Sequence, residues 1–197
     1  MEPVFTLQWP EFLLANRLQR LFPKSDGYAL LVPASRQEKG IDLALLRKSA
    51  NQSSRVVTLQ VKASRTYGGD EPKRSTTVRF KYRTWFNRFD VPAEADFILL
   101  FGLYAPDRAQ TKRINASWYR DCTLLFSNAE MRAFMANCLT VSGKPDGMFG
   151  FGFDESDAVF QTRGDSTRRL TDFSDHLLER RVHLLRAALD GSPPPAS

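Results

Sequence analysis

At 197 residues, with 42% hydrophobic and 12% aromatic content, the chain can fill one core and has the usual size of a single domain, taken as 1–190 with a disordered tail at 191–197. Charged residues, a quarter of the total, exclude a disordered chain, and their net +6 balance suits a polyanionic partner such as nucleic acid. Cys122 and Cys138, each in an apolar setting, exclude a disulfide framework and read as reduced thiols of a cytoplasmic protein; no signal peptide or membrane-spanning stretch is expected.

The first predicted element is a helix from Trp9, with Phe12, Leu13, Ala15, Leu18 and Leu21 at helical spacing, Pro10 in the first turn and Glu11 at the positive end of the dipole. "PKSDG" closes it, and "YALLVPAS" reads as a strand. A hairpin follows, "GIDLALLRKSANQSSRVVTLQVKAS", Gly40 to Ser64, with its turn centred near Asn51. "RTYGGDEPKRST" reads as a basic loop, "TVRFKYR" as a strand and "TWFNRF" as a short helix or turn. "DFILLFGLY" is a continuous apolar run, which predicts a central strand covered on both faces. "CTLLFS" is a further strand, and Ser127 with Glu130 forms a capping box for the helix "NAEMRAFMANCL". "GMFGFGF" and "DAVFQTR" predict a second hairpin, and "TDFSDHLLERRVHLLRAAL" a last helix. The fold class is therefore α/β (α+β), a mixed central sheet flanked by helices.

The hairpin carries the chemistry. Alternate side chains of a strand share a face, so Thr58, Gln60, Lys62 and Ser64 lie together, opposite Val57, Leu59, Val61 and Ala63. Antiparallel pairing about Asn51 sets Asp42 across from Gln60, with Lys62 one diagonal away. A hard divalent cation takes oxygen ligands, an anionic one from Asp42 and a neutral one from Gln60, and can activate water for phosphodiester hydrolysis. Lys62 would orient that water or stabilise charge growing on the phosphate. The same residues also fit a plain polar outer face of a half-buried hairpin, and Glu11 also fits a residue placed for the helix dipole alone.

Asp42, an intervening turn and then Gln60-x-Lys62 on an apolar strand resembles the PD-(D/E)xK nuclease superfamily, whose core is restriction-endonuclease-like. The resemblance spans about Trp9 to Leu139. It implies a Mg²⁺ (or Mn²⁺) endodeoxyribonuclease acting in restriction, defence or repair, with Asp42, Gln60 and Lys62 as the catalytic core and metal ligands from Asp42, Gln60, the Val61 carbonyl and Glu11. Restriction-like enzymes commonly dimerise to cut both strands, so a homodimer is also implied. Two positions depart from the common pattern: Ile41 stands where Pro is frequent, and Gln60 replaces an acid. The order strand, strand, helix after the hairpin also differs from the common core. The missing acid leaves room for an alternative, a non-catalytic nucleic-acid-binding or protein-interaction module that keeps the fold.

Beyond Lys62 lie Arg65, Lys73, Arg74, Arg79, Lys81, Arg83 and Arg88, interleaved with Tyr67, Tyr82 and Trp85. This segment fits a backbone-tracking, base-stacking DNA surface, and equally an edge strand guarded by cations. Arg168, Arg169, Arg180 and Arg181 read as a polar helix face, and His176 and His183 as surface or boundary residues of the last helix.

Overall fold

The computed structural model describes residues 9–33, 40–48, 54–68, 80–105, 119–167 and 169–191, which build one eight-stranded sheet and three α-helices. In chain order these are α1 (Trp9–Leu21), β1 (Tyr28–Leu31), β2 (Leu43–Arg47), β3 (Arg55–Gly68), β4 (Tyr82–Asn87), β5 (Phe97–Tyr104), β6 (Arg120–Ser127), α2 (Asn128–Asn137), β7 (Met148–Phe153), β8 (Val159–Arg163) and α3 (Leu178–Asp190). β1, β2 and β3 form an antiparallel ladder, β5 joins β3 in parallel, and β6 returns antiparallel to β5. The far end of β3 instead pairs with β4, which leads antiparallel into β7 and β8. The sheet is therefore mixed and branches at β3, within an α+β architecture.

Each face of the branching sheet has its own core. Leu14, Ala15 and Leu18 of α1 and Leu178, Leu185 and Leu189 of α3 bury against Leu43, Leu45, Val57, Leu59 and Val61. On the other face, Ile98, Leu100, Leu124 and Phe126 pack with Met131 and Phe134 of α2 and with Phe86, Phe149 and Phe151. Residues of β4 and β7 thus share a core with β5 and β6, so the second arm of the sheet folds over that face. The crossing is tight: a Cβ on Gly102 would lie 2.5 Å from the Thr84 methyl, so only glycine admits β4 there.

Several predicted elements differ from those observed, among them "TVRFKYR", of which only Tyr82 and Arg83 are in a strand and residues 77–79 lie outside those described. β3 continues through Arg65 to Gly68, where the turn-rich composition predicts a loop, because the ladder to β4 extends it. Thr84–Asn87 belongs to β4 and is neither helix nor turn: Tyr82, Thr84 and Phe86 are buried in alternation and six consecutive residues pair with β7. The last helix starts at Leu178, seven residues later than predicted. Asp172 bridges to Phe160, and its carboxylate accepts from Ser174 N, which holds 171–177 in a bridge and a 3-10 turn. The capping box at Ser127 and Glu130 is present as predicted. Of the predicted tail only Gly191 is described, as the left-handed cap of α3.

Candidate functional site

The pairing of β2 with β3 follows the predicted register. Leu43 faces Leu59, and one residue further Asp42 comes next to Gln60, its N–H donating to Leu59 O at 2.9 Å. Just before it, Gly40 adopts a left-handed φ of 94° and lies against Pro92, where a Cβ would approach the proline to 2.5 Å. The turned backbone leaves Asp42 beside β3 with its carboxylate accepting from Val61 N–H at 2.7 Å. One carboxylate oxygen is thereby fixed and the other remains for a ligand. The N–H and C=O of one strand residue project to the same side, so the Val61 carbonyl emerges at this edge too.

Gln60 is only 7% exposed, and its Oε1 has no hydrogen-bond partner among the described residues. A buried amide oxygen left in this state costs free energy, about 1–3 kcal/mol by the usual penalty, and native proteins seldom carry one without a purpose. Lys62 follows on the same face of β3, half-buried, its ammonium 5.1 Å from the centre of the Phe89 ring. Among the described residues no ion pair joins Lys62 to Asp42. α1, whose first turn carries Glu11, packs on the Leu59 and Val61 side of β3 through Leu14, Ala15 and Leu18.

The segment from Arg88 to Asp96 passes over the same face. Arg88 donates to the carbonyls of Met135 (2.8 Å) and Cys138 (3.1 Å) at the end of α2. At the other end Thr58 Oγ1 donates to Glu94 O at 2.6 Å, Thr58 N donates to Asp96, and Asn128 donates to the carbonyls of Pro92 and Ala95. These anchors, all distant in sequence, hold Phe89 against Lys62 and Pro92 against Gly40. Nothing in the local composition signals them.

Beyond Lys62 opens a cleft of about 440 Å³ between β3 and β4, lined among others by Lys62, Arg65, Tyr67, Trp85 and Phe89. Of the predicted DNA-binding cations, Arg65 is exposed here. Lys81 is committed to Glu155 at 2.6 Å, Arg83 is half-buried on β4, and Lys73, Arg74 and Arg79 lie outside the described residues. Arg88 also lines this cleft, with its guanidinium held by the carbonyls of α2. Tyr82 is buried in the second core and cannot stack on a base, whereas Tyr67 and Trp85 are 52% and 46% exposed. Arg163 of β8, missed by the sequence reading, lies beside Trp85, with its guanidinium 5.8 Å from the ring centre.

Among the described residues no group of three or more His, Cys, Asp or Glu could hold a metal ion. The oxygen set at Asp42 contains a single acid. Both cysteines are free and buried, and burial pushes the Cys122 thiol up to about 12, which leaves it inert. Arg181 and Arg180 pair with Glu130 and Asp175, in line with the polar helix face expected of them. No helix among the described residues is long and apolar enough to cross a membrane.

His176 sits in the 3-10 turn before α3, its ring tilted against those of Phe126 and Phe173 with centres 4.5 and 4.9 Å apart. Burial, aided by the Arg181 cation, lowers its pKa from 6.5 to about 4. The neutral ring therefore contributes stability above pH 6.5 that is lost as pH falls towards 4. His176→Gln should flatten the decline of melting temperature between pH 7 and 4.5; parallel declines in both proteins would refute this assignment.

Comparison with models of known families, with curated proteins and with solved structures finds no match to this chain.

Proposed function

We propose that the chain is a metal-dependent nuclease that hydrolyses phosphodiester bonds in DNA within the cytoplasm. The observation that carries this reading is the buried, unpartnered Oε1 of Gln60, on the residue across from Asp42 in the register, whose carboxylate is fixed by Val61 N–H. Asp42 and Gln60, with the Val61 carbonyl, are the hard oxygen donors that Mg²⁺ or Mn²⁺ takes, and such an ion completes its shell with water. A bound ion would polarise the phosphate and lower the pKa of a coordinated water. Asp42 supplies the only negative charge of the set, and Val61 N–H keeps its carboxylate from rotating away. Lys62, held by the Phe89 ring, supplies a cation for the charge that grows on the phosphate oxygens.

A second reading, a nucleic-acid-binding module without catalysis, is favoured by Gln60 itself, since an amide binds a divalent cation less tightly than a carboxylate would. Purified protein incubated with plasmid and single-stranded DNA separates the two. Cleavage that needs Mg²⁺ or Mn²⁺, stops with chelator and falls about 10²-fold in Lys62→Ala supports the enzyme. Equal cleavage by Lys62→Ala and the parent protein removes Lys62 from the mechanism and points to a contaminating nuclease.

A further inference from the structure

We infer that the cleft between β3 and β4 seats an unpaired base of single-stranded DNA, so that the strand cut by this protein is a single strand or an unpaired end. This rests on the nuclease reading and names its substrate. Tyr67 and Trp85 stand side by side on neighbouring strands, their ring centres 6.2 Å apart and their planes at 52°. About half of each residue's surface is open to solvent, an unusual outlay for a large aromatic side chain unless a flat partner covers it. Trp85 lies against the bare backbone of Gly150, where a Cβ would come within 3.0 Å of the indole, so the ring rests on the sheet.

Arg65, beside this platform, and Lys62, elsewhere in the lining of the cleft, enter no ion pair among the described residues, while Arg163 divides its guanidinium between Trp85 and Asp146. Aromatic faces with cations in the same cleft recognise one chemistry well, a planar base carrying a phosphate. A cleft of about 440 Å³ holds a ligand of nucleotide size and not a duplex. In a duplex the face of a base is buried in the stack, so only an unpaired base can present it.

The test measures binding without chemistry. A fluorescein-labelled 12-mer, single-stranded or annealed to its complement, is titrated with the full chain in EDTA, and anisotropy gives Kd. The single strand should bind about tenfold or more tightly than the duplex. Trp85→Ala should weaken single-strand binding about five- to hundredfold, Trp85→Phe much less, since stacking is worth roughly 1–3 kcal/mol per base. Arg65→Gln should reduce the log–log salt slope by about 0.7. Equal affinity for both DNA forms overturns the inference, and so does a Trp85→Ala protein that keeps parental binding while Trp85→Phe folds normally. Binding in EDTA requires no cleavage, so a catalytically silent protein with the predicted preference would refute the nuclease reading alone. Cleavage without that preference would refute only this inference.

Discussion

Asp42→Asn should abolish metal-dependent DNA cleavage, by about 10³-fold or more, while the protein stays folded. On the proposed reading the substitution would remove the site's anionic ligand, and a metal's charge stabilisation of a phosphoryl transition state amounts to several kcal/mol. The asparagine still offers an oxygen to Val61 N–H, whose 2.7 Å bond closes the start of β2 onto β3. Asp42→Ala lacks that acceptor, so it should lose cleavage and also about 1–3 kcal/mol of stability. Comparing the two by cleavage rate and urea denaturation separates the charge from the structural bond. An Asp42→Asn protein that cuts at the parental rate would rule out metal binding here.

Gln60→Glu should give the second large effect, and its sign depends on metal. The side chain is 7% exposed, so a carboxylate there is desolvated and, without a cation, its ionisation is opposed. At pH 8 the metal-free variant should be about 2–4 kcal/mol less stable than the parent, a drop in melting temperature of roughly 5–15 °C for a chain of this size. The deficit should shrink as pH approaches 5, because the folded variant then holds its proton, as an unfolded glutamic acid does near pH 4.3. Saturating Mn²⁺ should close it, since a cation pairs with the added charge. Thermal melts at pH 5 and 8 with and without Mn²⁺ test this. A deficit that Mn²⁺ leaves unchanged would show that position 60 does not face a cation site.

How much of this could be read from the residues varies along the chain. The placement of Asp42 beside Gln60 was legible because a symmetrical turn about Asn51 fixes which residues oppose one another, and Leu43 does meet Leu59. The two faces of β3 followed from alternation alone. The extension of β3 to Gly68 was hidden, since Arg-Thr-Tyr-Gly-Gly has the composition of a turn and only pairing with β4 makes it a strand. The commitment of Arg88 to the carbonyls of α2 depends on a contact about fifty residues away, which local patterning cannot carry. The turn around His176 was misread as helix because "TDFSDHLL" has helical apolar spacing, while the bonds that stop the helix come from Asp172.

Sharing one strand between the two arms of the sheet has a geometric consequence. Lys62 and Tyr67 sit five positions apart on β3, roughly 17 Å along an extended backbone. If the proposed nuclease and base-seating roles hold, the strand would act as a ruler: a base gripped at its far end would hold the bond to be broken at a set interval, and the fragments released would share a constant offset from the gripped nucleotide whatever their sequence.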